Sequence, residues 1–217
     1  MQFRDRRQAG EALALRLRYL RGHHPVVLGL PRGGLVVARE IADVLDAPLD
    51  VLLTRKIELS GPPTTLGAVG EGGVLVSNHD AIRKFGITPE ELSQLAGSAR
   101  ADLARQVALY RRTVRPVPIA GQTVILTDDG ATTGATAHAA IRVLRARRVG
   151  KIVLAVPVGP TRVLDRLARD VDQLICLRPL RWMHAVRNSY TDFATVEDTD
   201  AIALLDRQAA SPVEAVR

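Results

Sequence analysis

Five apolar runs of strand length punctuate the chain: Val26–Leu30, Leu49–Thr54, Thr123–Thr127, Lys151–Pro157 and Gln173–Leu177. Between several of them the apolar period lengthens. Leu35–Leu45 follows the first run, Ala137–Arg147 sets Ala140, Ile141 and Leu144 on one helical face, and Thr161–Ala168 does the same with Val163, Leu164 and Leu167. The strand-like runs are apolar on both faces and bounded by Gly or Pro. They read as strands of a parallel sheet with helices on either side.

Other segments break this alternation. A helix is expected within Arg7–Leu20, with Asp5 as its cap. Leu59–Gly73, LSGPPTTLGAVGEGG, is dense in Gly, Pro and Thr and reads as a long mobile loop closed by a hairpin turn at Gly70–Gly73. Thr88 and Glu91 then form a capping box, with Pro89 at the first helical position, and open a long helix that interrupts the sheet. The expected organisation is one α/β domain over 1–217, an open, mainly parallel five-stranded sheet flanked by helices. It carries a flexible loop at about 58–73, a helical insertion at about 79–115 and a small hood at about 178–195.

Composition narrows the classes. Of 217 residues, 47% are hydrophobic, enough for a sizeable core. The one cysteine, Cys176, lies in an apolar run, which suits a core position in a reducing cytoplasm. The polar start MQFRDRRQAG has no apolar core of a signal peptide. No apolar run approaches the ~18 residues that cross a bilayer, so no membrane role is expected. The net charge of +7 permits an anionic partner, either nucleic acid or a polyphosphate, although no zinc spacing or helix-turn-helix pattern accompanies it.

The sharpest chemistry lies in VILTDDGATTGAT, Val124–Thr136. An apolar strand ends in two acids, and small residues with three threonines lead into a helix. In open α/β sheets ligands bind beyond the carboxyl ends of strands. A helix start there offers free N–H groups and partial positive charge, which suits phosphate. Thr132, Thr133 and Thr136 add hydroxyls, while Gly134 and Ala135 keep the backbone bare. Carboxylates repel phosphate, so Asp128 and Asp129 need another target: the two hydroxyls of a ribose, or Mg²⁺. Phosphate and diol side by side describe ribose 5-phosphate. A second βα turn, LGLPRGG, is a further anion site, with Arg32 as a forked donor beside Gly33 and Gly34.

These residues resemble the phosphoribosyl-pyrophosphate (PRPP) motif of the type I phosphoribosyltransferases, glycosyltransferases of nucleotide metabolism. The chain departs from that motif at Thr127, where an apolar residue is usual, and at Gly130, where an aliphatic one is. The likeness extends to a bacterial group with FRDRRQAG, LPRGG and AVRNSYTDF in corresponding places. It implies that Asp128 and Asp129 hold the ribose diol, and that Thr132, Thr133, Gly134, Ala135 and Thr136 hold the 5-phosphate. Arg32, Gly33, Gly34 and Lys56 would take the pyrophosphate, with a non-proline cis peptide at Pro31–Arg32. Lys56, Asp128 and Asp129 are the catalytic candidates. Mg²⁺ would bridge PRPP, with Asp128 or Asp129 as a direct ligand at most. Glu58–Leu66 would be the catalytic loop, though SGPPTT stands where relatives read PGNPE.

The same resemblance places a hood over the acceptor, with Trp182 and Tyr190 as candidate stacking surfaces and Arg187 where relatives carry glycine. Thr132 stands where 6-oxopurine enzymes can carry a purine-activating aspartate, and LAVPVGPT lacks their lysine. The expected reaction is therefore transfer of ribose 5-phosphate to a nitrogen nucleophile other than a 6-oxopurine, by a cytoplasmic enzyme compatible with a homo-oligomer. The second reading is a PRPP- or nucleotide-sensing regulator that binds nucleic acid, for which RVLRARR and RRTVR supply basic stretches.

Overall fold

The computed structural model describes residues 2–59 and 64–206. Strands β1 (Val26–Gly29), β2 (Leu49–Val51), β6 (Thr123–Thr127), β7 (Lys151–Pro160) and β8 (Gln173–Leu180) form one sheet in the order β2-β1-β6-β7-β8. All its pairings are parallel. Its side chains alternate between two apolar layers, as the period of a strand requires. Val27, Ile125 and Val153 pack with helices α1 (Arg6–Leu17) and α2 (Gly33–Leu45). Val26, Leu28, Val124, Leu126, Ile152 and Leu154 pack with α5 (Ala135–Ala146) and α6 (Thr161–Leu167). Burial on both faces explains why these strands read as continuous apolar runs.

Local signals place the helix ends. Asp5 caps α1, its Oδ1 accepting from the Gln8 N–H at 2.7 Å. Thr88 and Glu91 close the expected capping box at the start of α4 (Pro89–Tyr110), which follows the short α3 (His79–Phe85). A last helix, α7 (Asp198–Asp206), packs against α2 and β2.

The structure differs from the sequence reading between the second strand and the helical insertion. The expected strand Leu49–Thr54 stops at Val51, and the chain leaves the sheet through the buried Leu52 and Leu53. The segment Leu59–Gly73, read as a loop, instead contributes β4 (Thr64–Gly70) to a separate antiparallel sheet, between β3 (Thr54–Leu59) and β5 (Val74–Ser77). Residues 60–63, part of the expected catalytic loop, lie outside the described residues. The expected hairpin turn is present, with Gly72 and Gly73 at φ of 82° and 80°. Gly70 serves packing instead. A Cβ there would stand 2.5 Å from Val143 Cγ1 of α5, so glycine lets this sheet lie directly on the helix.

Candidate active site

Strands β1 and β6 are neighbours, yet the strands that follow them lie on opposite sides, β2 beyond β1 and β7 beyond β6. The crevice outside such a reversal is the usual ligand position in an open α/β sheet. Two loops meet there. One leaves β1 as Leu30–Gly33, with Leu30 N–H donating to Thr127 O at 3.0 Å and a cis peptide at Pro31–Arg32, as the resemblance implied. The other leaves β6 as Asp128–Gly134.

The loops touch through glycines. A Cβ on Gly34 would lie 2.9 Å from Asp128 Cα and 3.0 Å from its Oδ1. A Cβ on Gly33 would enter the Asp129 carboxylate and lie 2.6 Å from Arg6 Nε. The two glycines therefore admit the acid pair, whatever else their N–H groups do.

The acids are held unequally. Asp128 Oδ1 accepts from the Asp129 N–H at 2.8 Å, and Asp128 makes no ion pair among the described residues. Asp129 Oδ2 accepts from Arg6 Nε at 2.7 Å. Arg6 Nη1 donates to Ala194 O at 2.7 Å, and its guanidinium lies 3.6 Å from the Phe193 ring centroid. The Tyr190 hydroxyl donates to the backbone carbonyl of Asp129 at 2.6 Å. Burial first, then the Asp129 charge, pushes the Asp128 carboxyl well above the usual range. Burial also raises Asp129, against the pull of Arg6. Burial first, then the Asp129 charge, raises the Tyr190 phenol and keeps it a neutral donor.

Arg6 is the residue that sequence reasoning missed. In FRDRRQAG the local pattern assigns a role to Asp5 alone, as a helix cap. The chain's first segment pairs with AVRNSYTDF: Phe3 N–H donates to Ser189 O at 2.9 Å and Thr191 N–H to Phe3 O at 2.8 Å. Signature segments far apart in sequence thus close around Asp129.

Beyond the acids, Gly134 opens α5 with φ of 75°, no side chain caps the helix, and its first turn carries no acid. Ala135 N–H reaches only Thr133 Oγ1, at 3.3 Å. Thr133 and Thr136 are exposed. An uncapped, acid-free helix start is an anion-binding element. Gly130 departs from the motif because its place for a side chain is already taken: a Cβ would stand 2.8 Å from Val158 Cγ2 and 2.9 Å from Val186 Cγ1. The other departure, Thr127, is fully buried, and its hydroxyl finds no partner.

Among the described residues, Arg32, Lys56, Trp182 and Arg187 make no hydrogen bond or ion pair with the acid pair, and Tyr190 reaches it only through its hydroxyl on the Asp129 carbonyl. Arg32 pairs with Glu197 at 3.0 Å. Lys56 sits on β3 and pairs with Glu58 at 2.7 Å. Tyr190 is buried between Phe3 and Phe193, with ring centroids 5.8 and 5.2 Å away, so it offers no free face for an acceptor. Trp182 does not join that aromatic cluster. It is exposed in a separate concavity whose described lining includes none of Asp128, Asp129, Gly33 or Gly34. Arg187 is exposed on a short 3₁₀ turn, Val186–Ser189.

The basic stretches also have internal uses. Arg111 of RRTVR binds Asp50 at 2.6 Å and Glu71 at 2.7 Å, tying the end of α4 to β2 and to the β4–β5 turn. Arg142 of RVLRARR donates to Ser77 O at 2.6 Å, and Arg145 pairs with Asp172 at 2.9 Å. Cys176 is half-buried and packs against the second apolar layer rather than within the core that was expected, and burial pushes its thiol up to about 11. No helix among the described residues is long and apolar enough to cross a membrane.

Comparison with known proteins agrees with this geometry. Residues 5–178 match the family model described as the phosphoribosyl transferase domain. A protein of Mycobacterium tuberculosis with a provisional phosphoribosyl transferase name is 41% identical over 206 residues. The match covers 94% of this chain and 46% of that protein, so the chain spans about half the length of its curated relatives. The crystal structure of TT1426 from Thermus thermophilus is 41% identical, with a TM-score of 0.88 over 94% of this chain and 98% of that one. AQ2163 of Aquifex aeolicus, at 12% identity and a TM-score of 0.50 over 82% of this chain and 76% of that one, shares the fold alone. With the acid pair, the cis loop and the uncapped helix start in one crevice, the chain belongs to the type I phosphoribosyl transferase family.

Proposed function

We propose that this chain transfers the ribose 5-phosphate of PRPP to a nitrogen nucleophile and releases pyrophosphate. The observation that carries this reading is the adjacency, at the β1/β6 reversal, of a buried acid pair and an uncapped helix start. Carboxylates select hydroxyls and the helix start selects phosphate, so the two together fit a phosphorylated ribose.

In this reading Thr132–Thr136 hold the 5-phosphate through backbone N–H groups and hydroxyls. Asp128 and Asp129 accept from the ribose 2- and 3-hydroxyls, with Arg6 favouring the charged form of Asp129 against its burial and fixing its direction. The C1–oxygen bond to pyrophosphate breaks with its electron pair on the leaving group, and the C1–nitrogen bond forms. The proton lost by the nitrogen goes to pyrophosphate or solvent. Arg32, Gly33, Gly34 and Lys56 receive the leaving group. Arg32 and Lys56 each have a carboxylate partner to exchange, Glu197 and Glu58 respectively. The transition state resembles an oxocarbenium ion, so the protein contributes position and charge rather than a covalent intermediate.

Mg²⁺ bound with PRPP would supply charge neutralisation on its pyrophosphate and ribose oxygens. Asp128, a carboxylate without an ion pair, fits as its single protein ligand, and no cluster of three metal-ligating side chains occurs among the described residues. Thr132 in place of an acid argues against a 6-oxopurine acceptor. The test is pyrophosphate release from PRPP with Mg²⁺ against a panel of bases and amines. Turnover with adenine, orotate or an amine supports the reading, and turnover confined to hypoxanthine or guanine overturns its acceptor assignment.

A further inference from the structure

Trp182, the one tryptophan of the chain, is 74% exposed. A large ring left in water is free to stack on a flat ligand. It stands in an open concavity of about 540 Å³ whose walls carry Arg162, Arg166, Arg169 and Arg181. Arg162 and Arg166 lie one turn apart on α6, and Arg169 follows in the turn beyond it, so the three share one side of that element. All four arginines are exposed, and none has a side-chain hydrogen bond or ion pair with a described residue. Asp165 is the one acid in the described lining. This contrasts with Arg6, Arg111, Arg142 and Arg145, each bonded to acceptors of the same chain.

These four arginines form a cationic track beside Trp182. The adjoining cavity of about 400 Å³ differs: beyond Arg166 and Arg169 it is lined by Thr133, Gly134 and Ala135 of the candidate phosphate loop, by Asp170, and by Arg142, which is bonded to Ser77 O. We propose that this track binds single-stranded nucleic acid, with a base stacked on Trp182 and phosphates on Arg162, Arg166, Arg169 and Arg181. Guanidinium groups bind phosphate oxygens in pairs, and an exposed indole stacks on any base. A duplex hides its base faces from such a ring. A mononucleotide neutralises fewer cations than the four arginines beside Trp182. Binding at the Trp182 concavity is independent of the proposed transfer reaction, because that concavity shares no described residue with the acid pair, the cis loop or Thr132–Thr136.

The single tryptophan makes the test site-specific. The full chain is titrated with a twelve-nucleotide oligouridylate while Trp182 fluorescence is read, and a labelled strand is followed by anisotropy in parallel. Saturable quenching is expected, with a log–log salt slope of about −3 for four phosphate contacts. Arg162→Gln with Arg166→Gln should weaken binding at least roughly tenfold and flatten that slope by about 1.4 units. Trp182→Leu, with circular dichroism confirming its fold, should weaken the anisotropy signal several-fold. The proposal is overturned if the strand leaves the fluorescence unchanged at low salt, or if the double arginine variant binds as the parent does. Equal quenching by uridine monophosphate at the same nucleotide concentration overturns it in favour of a small-nucleotide site.

Discussion

Arg6 Nε donates to Asp129 Oδ2 at 2.7 Å, joining side chains 123 residues apart that are only 10% and 15% exposed. The pair fixes the second acid of the motif. Removing the guanidinium leaves a buried carboxylate without its cation, at a cost of about 3 kcal/mol. Arg6→Gln should show that loss in urea unfolding at pH 7, together with weaker PRPP binding. Arg6→Lys should fall between, since an ammonium cannot bond Asp129 and Ala194 while stacking flat on Phe193. An Arg6→Gln variant as stable as the parent would remove the pair from the account.

Gly33 makes a second, steric prediction. A methyl group there collides with the Asp129 carboxylate and Arg6 Nε. Gly33→Ala should cost about 1–3 kcal/mol of overpacking, which is roughly tenfold or more in PRPP affinity if Asp129 is displaced. Gly97, on α4, is the control, because a Cβ there meets nothing within 4 Å. Gly97→Ala should stabilise the chain by about 0.5–1 kcal/mol and leave PRPP binding alone. Equal effects of the two substitutions on binding would contradict the close approach.

Asp128 predicts a pH dependence. Its folded pKa is raised, by burial first, above an unfolded value of about 3.9. Between those values the folded chain keeps a proton that the unfolded chain has lost. The associated stability is complete below about pH 4 and is lost as pH rises through the folded value. Urea midpoints should therefore fall over that interval in the ligand-free protein, and Asp128→Asn should fall less. The comparison isolates this group from Glu40, which burial also raises, and from Asp5 and Asp172, which backbone hydrogen bonds lower. Parallel profiles for the two proteins would refute it.

Thr127 carries a buried hydroxyl without a partner. Thr127→Val keeps the shape and removes the unmet group, so it should raise stability by about 1–2 kcal/mol. Thermal or urea unfolding measures this directly. A destabilised valine variant would mean that the hydroxyl has a bonding role after all.

The parts of this molecule that were readable from sequence are those whose chemistry is local. VILTDDGATTGAT holds its strand, acids, bare loop and helix start within one stretch, and the caps at Asp5 and Thr88 need only three residues. The parallel sheet was readable because β1, β2, β6 and β7 are buried along their length, and only the edge strand β8 is partly exposed. Arg6 was not readable, since its partner is made only by the fold, and no spacing rule relates residue 6 to residue 129. Tyr190 looked like a stacking surface because aromatic content was visible and burial was not. The sheet built from β4 and β5 was hidden by its glycines, which resemble loop composition although Gly70 serves contact with α5. Arg111 likewise reads as surface charge until Asp50 and Glu71 are folded against it.

The central claim is that Asp128, Asp129 and the start of α5 form a PRPP cradle. Its most direct test is calorimetric titration of the chain with PRPP and Mg²⁺, alongside the variant carrying Asp128→Asn and Asp129→Asn. One saturable site is predicted in the parent. Loss of two charged hydrogen-bond acceptors should weaken it by roughly a hundredfold or more while circular dichroism stays unchanged. A folded variant that binds PRPP with the affinity of the parent would contradict the account.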